Sequence, residues 1–292
     1  SYSWCVFGKP GTGKSVLVNA ITRALMYDPN NSIIKIDVGG SHSRETELLG
    51  GVEYRLSLDH SAGINPFSYI HQTHRFSELL QILSSFLEVL LLEEGEYRLS
   101  KAIKSDLEKN LSAYMDKHPL SPSLENFVKN SEDLPRPELF ARWMGRGIYA
   151  NAFKEKEQIQ HHRLRYYNFS QISQASDPDF AQGGLAAVMS QFNWEMLNKK
   201  PGQKIIFIAD ETPFFIQRCF SFFNLSIANI RKEGHSFITV AQKSSHVVVK
   251  GDTVILDNSS NKFLFSVDGD DESFSKCLHM SAASVEKVAN LK

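Results

Sequence analysis

The octet GKPGTGKS, Gly8 to Ser15, constrains the fold of this chain more than any other part of the sequence. It satisfies the pattern G-x-x-x-x-G-K-[ST] and lies between a β-rich run at 2–7 and a helical stretch at 15–26, the context that the pattern requires. Glycines let backbone N–H groups turn inward around phosphates, helped by the N-terminus of the helix. Lys14 is expected to neutralise the β- and γ-phosphates, and the Ser15 hydroxyl to bind Mg²⁺. The octet therefore predicts a site for ATP and Mg²⁺.

The expected nucleotide contacts extend over the whole loop. They are Gly8, Pro10, Gly11, Thr12, Gly13, Lys14, Ser15 and Val16. A dinucleotide-binding G-x-G-x-x-G would need glycine at Val16, so that interpretation fails. The remaining alternative is a glycine turn that exposes a lysine.

A second chemical motif follows the apolar run KIIFIA at 204–209, which ends in Asp210 and Glu211. A strand beside the phosphate loop would bring Asp210 to the waters of Mg²⁺, where its charge orients them. Glu211 would then face the attacking water as base or positioning group. The alternative is a strand end that carries two solvated acids.

Two further positions are candidate catalytic groups. Gln242 ends the run SFITVA and is predicted to touch the γ-phosphate, unless it only caps the strand. Arg231 is predicted to reach a neighbouring subunit's γ-phosphate as an arginine finger, with Arg218, Arg163 and Arg165 as weaker candidates. A basic helix end at Arg231 and Lys232 would equally complement the helix dipole.

Charge and cysteine content exclude several classes of protein. The 292 residues carry 32 basic and 33 acidic side chains, a net charge of −1, so no overall field indicates nucleic-acid binding. Three dispersed cysteines fit a reducing compartment without disulfides. The longest apolar stretch, 79–92, is shorter than the roughly 20 residues that span a bilayer. We therefore expect a chain with no transmembrane segment.

Alternating strand and helix patterns predict an α/β fold with a mainly parallel central sheet. Strands are predicted at 2–7, 32–38, 165–172, 204–209, 236–241, 254–256 and 263–267. The main helices around them are predicted at 15–26, 180–199, 213–231 and 281–290. Between 75 and 149 the apolar period is helical throughout, so we expect an all-α insertion subdomain there. The P-loop domain would then be discontinuous, formed by 1–74 and 150–292.

Several segments together resemble the C-terminal ATPase domain of the conjugative-transfer and type IV secretion ATPases of the TraC kind. The segments are GKPGTGKS (8–15), IDVGGSHSR (36–44), LLGGVEYRL (48–56), INPF (64–67), IADE (208–211) and RKEGHSFITVAQ (231–242). They occur in the family's order and cover most of the chain outside 75–150. The chain departs from the family pattern at Thr212, His235 and Ala241.

The resemblance implies a RecA-like motor that assembles as a hexamer at the cytoplasmic face of the bacterial inner membrane, with other secretion-channel proteins as partners. A homo-oligomer is expected, although the isolated chain could also be a monomer. One alternative is a DNA-translocating motor of the FtsK/HerA or coupling-protein kind, against which the near-neutral charge counts. Another is an assembly module that binds ATP and barely hydrolyses it, against which the intact Lys14, Asp210 and Glu211 count.

Overall fold

The computed structural model describes residues 3–58, 63–72, 75–154, 162–173, 178–211, 213–216, 219–267 and 272–291. Within these ranges the fold is built on one seven-stranded sheet. The strands are β1 (Ser3–Phe7), β2 (Asn31–Asp37), β3 (Val52–Arg55), β4 (Leu164–Asn168), β5 (Lys204–Ala209), β6 (Ser236–Ala241) and β7 (Asn261–Leu264).

The spatial order of the strands is β3-β4-β2-β5-β6-β1-β7, and every pairing is parallel. This confirms the predicted α/β class with a parallel sheet. Parallel strands are covered by helices on both faces, which explains why β2 is buried along its whole length and why β5 reads as a continuous apolar run. Strand β6 lies between β5 and β1, so it separates the acidic motif from the phosphate loop.

Thirteen helices surround the sheet in the described residues. They are α1 (Lys14–Met26), α2 (Ser43–Leu48), α3 (Phe76–Leu91), α4 (Lys101–Asp116), α5 (Leu124–Lys129), α6 (Pro137–Ala141), α7 (Ser170–Ser173), α8 (Pro178–Leu197), α9 (Pro213–Ile216), α10 (Phe220–Glu233), α11 (Val254–Asp257), α12 (Glu272–Leu278) and α13 (Ala282–Ala289). Two 3₁₀ helices cover Pro66–Gln72 and Ser244–Val247.

The two faces of the sheet have different cores. One face forms a small apolar cluster with α1, which includes Val6, Val18 and Ile208. The other face shares a single large cluster with helices α3 to α6, and α3 packs directly on α8. The described part of 75–149 is helical, as expected. Its core is continuous with the core of the sheet, so its separation as a subdomain stays a prediction.

The structure corrects three sequence predictions. The strand predicted at 165–172 ends at Asn168, whose side-chain oxygen accepts a hydrogen bond from the Ser170 amide at 2.9 Å and starts α7. The apolar run at 254–256 is helical: Asp252 accepts a hydrogen bond from the Val254 amide at 3.0 Å in a turn just before α11, whose N-cap is Thr253. The helix predicted at 213–231 is divided into α9 and α10.

Two strands differ from the sequence patterns at the edges of the sheet. Strand β3 was not predicted: it is only four residues long and none of them is fully buried. Strand β7 covers 261–264 rather than 263–267. Edge strands bury little apolar surface, so their patterns are weaker than those of central strands. Among the described residues, no helix is long and apolar enough to cross a membrane.

Candidate functional site

The parallel arrangement places the carboxyl ends of all the strands at one edge of the sheet. The phosphate loop follows β1, the segment Asp37–His42 follows β2, Asp210 follows β5 and Gln242 follows β6. Ligands of open α/β sheets bind at this carboxyl edge. The sheet order therefore brings together motifs that are about 200 residues apart in the chain.

The phosphate loop has the backbone shape that its glycines permit. Gly11 and Gly13 have φ of 78° and 98°, in the left-handed region that glycine adopts without strain. The Lys14 ammonium donates to the carbonyl oxygens of Gly8 at 2.7 Å and Lys9 at 2.8 Å, and is held across the loop. Burial lowers the pKa of Lys14, and the charges of Glu211 and Asp210 oppose that shift.

The two residues that follow β7, Phe265 and Ser266, contact the phosphate loop, a role that the sequence did not reveal. A Cβ added to Gly8 would lie 2.6 Å from Cβ of Phe265, so no larger residue fits there. The Phe265 amide donates to the Phe7 carbonyl at 2.8 Å, and the Lys9 amide donates to the Ser266 carbonyl at 2.9 Å. A segment near the carboxyl end of the chain thus holds the phosphate loop, which lies near the amino end, in place.

The acidic motif reaches the phosphate loop. The Ser15 hydroxyl lies 3.4 Å from Oδ2 of Asp210, across 195 residues of sequence. Asp210 is 4% exposed, and its other oxygen, Oδ1, accepts a hydrogen bond from the Glu211 amide at 3.0 Å. The two side chains expected to bind or orient Mg²⁺ are therefore adjacent.

Glu211 adopts an unusual backbone conformation, with φ of 56°. For a residue with a side chain this left-handed geometry is uncommon, and such strain is found at functional sites. Burial and the neighbouring Asp210 raise the pKa of Glu211, whereas the charge of Lys14 and a hydrogen bond from the Gln242 side chain lower it. Glu211 therefore interacts with the charge of Lys14 and with the Gln242 side chain.

A histidine that sequence reasoning passed over contacts the same carboxylate. His42 is completely buried, and its Nε2 lies 3.0 Å from Oδ2 of Asp210. Its Nδ1 lies 2.7 Å from Oδ1 of Asn19 on α1. The sequence shows only that His42 closely follows a predicted strand, and a lone histidine in that position rarely indicates a site.

The remaining candidates are placed as follows. Pro10, Gly11 and Val16 lie on the exposed side of the loop, where a ligand can reach them. The Thr12 hydroxyl donates to the Lys9 carbonyl at 2.8 Å and helps to shape the loop. Arg231 lies on α10, but its side chain is outside the described residues, as is all of Arg218.

The two weaker arginine candidates are occupied within the chain. Arg163 donates to the backbone carbonyls of Met26, Asp28 and Asn31. Arg165 is buried and forms an ion pair with Glu195. Both lie at the amino end of β4, on the opposite edge of the sheet from the phosphate loop.

A family model described as the TraG P-loop domain matches residues 2–140. No curated protein sequence matches the chain. VirB4 of Thermoanaerobacter pseudethanolicus has a similar structure, with a TM-score of 0.77 and 18% identity over 99% of this chain and 84% of that one. The bacterial conjugative coupling protein TrwB, with ADP and Mg²⁺, gives a TM-score of 0.63 and 12% identity over 99% of this chain and 80% of that one.

TrwB without nucleotide gives a TM-score of 0.68 at 11% identity, with the same coverage of both chains. At these identities the structural likeness is one of fold. The sequence match covers the phosphate loop and the segment after β2, and the fold agrees over nearly the whole chain. Residues 2–140 are therefore similar in sequence to a TraG P-loop domain, and the chain shares its fold with VirB4 and TrwB.

Proposed function

We propose that this domain hydrolyses ATP with Lys14 and Ser15 on the phosphate loop and Asp210 and Glu211 on the acidic motif. The observation that carries the proposal is the 3.4 Å approach of the Ser15 hydroxyl to the Asp210 carboxylate. If the loop served only as a turn, a contact between its serine and a buried carboxylate from a distant strand would not be expected. Nucleotide hydrolysis requires both groups at one metal ion.

The oxygen atoms available suit Mg²⁺. A hydroxyl and a carboxylate are hard ligands, and Mg²⁺ in nucleotide sites is completed by phosphates and water rather than by a protein cage. When bound, the ion would neutralise charge that develops on the transferred phosphoryl group.

The protein groups have separable tasks in this proposal. Lys14 would exchange its two loop carbonyls for phosphate oxygens and stabilise their charge. Glu211 would orient the attacking water and accept its proton, a task for which a raised pKa is suited because the base then lies nearer the working pH. Gln242 would hold Glu211 and sense the γ-phosphate at the end of β6.

In the cell, we propose that hydrolysis energises pilus assembly or substrate translocation by a type IV secretion or conjugation apparatus. The family match and the fold shared with VirB4 support this role. We further propose a hexamer at the cytoplasmic face of the bacterial inner membrane, with other secretion-channel proteins as partners. The division into a P-loop domain (1–74 and 150–292) and a helical subdomain (75–149) is part of the same proposal.

A second candidate function is DNA translocation, because the plasmid coupling protein TrwB has the same fold. One experiment separates the two: the ATPase rate measured against protein concentration, with and without duplex DNA. A rate per chain that rises with concentration and ignores DNA supports an assembling secretion motor. Stimulation by DNA with a steep salt dependence favours the translocase. Nucleotide-driven assembly with only background hydrolysis would leave an assembly module.

Arg231 is proposed to act on the γ-phosphate of a neighbouring subunit. Removal of an arginine finger lowers turnover by about 10³-fold or more. We therefore expect Arg231→Ala to lose hydrolysis while nucleotide binding to dilute chains stays unchanged. A variant that assembles and turns over normally would eliminate this role and leave the helix-dipole interpretation.

A further inference from the structure

The segment Asp37–His42 has no role in the proposed chemistry, yet it ends against the carboxylate of Asp210. We propose that His42 is a positioning residue that holds Asp210 toward Ser15 and thereby sets the affinity of the site for Mg²⁺. This inference rests on the proposed function and adds to it a residue from the segment after a third strand, β2.

The contacts of His42 are polar on both sides of the ring. Nε2 faces Oδ2 of Asp210 at 3.0 Å, the same oxygen that faces the Ser15 hydroxyl. Nδ1 faces Oδ1 of Asn19 at 2.7 Å. Asn19 lies on α1, one turn beyond Ser15. One buried ring therefore ties the acidic strand to the helix that carries the phosphate loop.

A neighbouring lysine sets the direction of these hydrogen bonds. Lys35 is fully buried, and its Nζ lies 3.3 Å from Oδ1 of Asn19 and 3.3 Å from the Glu45 carboxylate. Burial lowers the pKa of Lys35 to about 8, so the ammonium form dominates at pH 7 and can only donate. Asn19 thus turns its oxygen toward both Lys35 and Nδ1 of His42. The carboxylate of Asp210 can likewise only accept, so both nitrogens of the ring face oxygen atoms to which they can donate.

The backbone around His42 is held as firmly as the ring. Asp37, which is 1% exposed, accepts hydrogen bonds from the Gly39 amide at 2.7 Å, the Ser41 amide at 2.7 Å and the Ser41 hydroxyl at 2.9 Å. This turn delivers His42 to the start of α2. The Tyr166 hydroxyl also donates to Asp37 at 3.2 Å, and its ring meets the His42 ring edge-on.

These contacts distinguish His42 from a histidine that only fills the core. Groups that orient a metal's ligands typically change metal affinity or activity by about 10- to 100-fold when they are removed. Without the ring, Oδ2 of Asp210 would lose its closer partner and would be held near Ser15 only by the longer contact to the Ser15 hydroxyl. The segment Asp37–His42 then acts as an arm from β2 that aims the carboxylate.

The test uses the whole chain and a fluorescent ATP analogue. Its affinity is measured by equilibrium titration in EDTA and in saturating Mg²⁺, and the half-saturating Mg²⁺ concentration is measured separately. We expect His42→Ala to bind the analogue like wild type in EDTA and to need about 10- to 100-fold more Mg²⁺. His42→Gln, whose amide can still donate to Asp210, should recover most of the loss. Asn19→Ala, which frees the ring, should lie between the two.

The matched control is His235, another completely buried histidine with hydrogen bonds at both ring nitrogens. Its partners are the Ile205 amide at 2.9 Å and the Met196 carbonyl at 3.3 Å, at the opposite edge of the sheet. His235→Ala should lower the thermal stability and leave the Mg²⁺ requirement unchanged. Circular dichroism reports whether each variant is folded.

The possible results distinguish a failure of the His42 inference from a failure of the proposed function on which it rests. If wild type gains no affinity from Mg²⁺, the proposed function fails. If wild type does respond and both folded His42→Ala and Asn19→Ala need no more Mg²⁺ than wild type, His42 is a core residue and the inference is wrong. The same conclusion follows if the affinity in EDTA falls as far as the affinity in Mg²⁺.

Discussion

The two edges of the parallel sheet hold their charged groups in opposite ways. At the carboxyl edge, burial lowers the pKa of Lys14 and raises that of Glu211, and the opposite charges of the two side chains counteract both shifts. At the amino edge, Arg165 forms an ion pair with Glu195, and Arg163 donates its hydrogen bonds to backbone carbonyls. The charged side chains at the carboxyl edge are therefore placed to bind a ligand, whereas the arginines at the amino edge already bind groups of the same chain.

The two buried histidines repeat this contrast. His42 bridges two groups of the candidate site, whereas His235 connects β5 to the end of α8 through backbone groups. Two histidines with the same burial therefore have different roles: the one at the carboxyl edge contacts the candidate site, and the one at the amino edge stabilises the fold. Substitutions at the carboxyl edge should change chemistry with little change in stability, and substitutions at the amino edge should do the reverse.

The largest effect is expected at Glu211. Glu211→Gln keeps the shape and removes the base, so turnover should fall by about 10²- to 10⁴-fold while ATP affinity stays near that of wild type. Lys14→Ala should instead abolish nucleotide binding. Rates from phosphate release and affinities from titration distinguish the two. Equal turnover by wild type and Glu211→Gln would remove Glu211 from the mechanism.

The next effect is at the amino edge. Arg165→Met leaves Glu195 without its partner in a largely buried position, and we expect unfolding to require about 2 to 3 kcal/mol less. The value lies below that of a fully buried pair because Glu195 is 25% exposed. Urea denaturation measures the loss, and the ATPase rate of the folded variant should match wild type. A large loss of rate without loss of stability would contradict the division between the edges.

The pH dependence of stability tests His235. Burial and the charge of Lys199 lower the pKa of His235 from 6.5 to about 4, and the Ile205 amide requires an unprotonated Nδ1. A histidine whose folded pKa is lowered stabilises the fold above pH 6.5 and loses that stabilisation as the pH falls toward 4. At pH 5 the loss is about 2 kcal/mol relative to neutral pH. Between pH 7 and pH 5, the free energy of unfolding of His235→Gln should therefore fall by about 2 kcal/mol less than that of wild type. If the two proteins lose the same amount, another group causes the pH dependence of stability.

The smallest effect is expected at Gln242. Loss of its hydrogen bond removes one contact that lowers the pKa of Glu211, so the acid limb of the pH–rate profile should move to higher pH in Gln242→Ala. One hydrogen bond to a charged group corresponds to about 10-fold in rate. Steady-state rates over a pH series measure both changes. A limb that stays in place would mean that Gln242 does not act through Glu211.

Much of this molecule could be predicted from short-range patterns. The strands at 204–209 and 236–241 have the predicted bounds, because buried central strands are continuous apolar runs with clear ends. The run at 254–256 resembles a strand in sequence and is a helix, preceded by a turn in which Asp252 accepts a hydrogen bond from the Val254 amide. Edge strand β3 was missed since it buries too little to leave a pattern.

The residues of the candidate site fall into the same two groups, those that a local motif identifies and those that only tertiary contacts identify. Local motifs with their own chemistry, the phosphate loop and the acidic pair, could be recognised without coordinates. His42, Asn19 and Phe265 could not, because each acts on a residue from a different strand or helix. The sequence carried their identities but no information on which strand lies beside which.

By itself, the sequence determined a phosphate-binding loop, a parallel α/β class and two acids at the end of a buried strand, since each depends on neighbours within a few residues. The tertiary structure decided that β6 separates the loop from those acids, that Phe265 supports Gly8 and that His42 faces Asp210. Those contacts depend on strand order, which is set by the packing of the whole chain and not by any short segment of it.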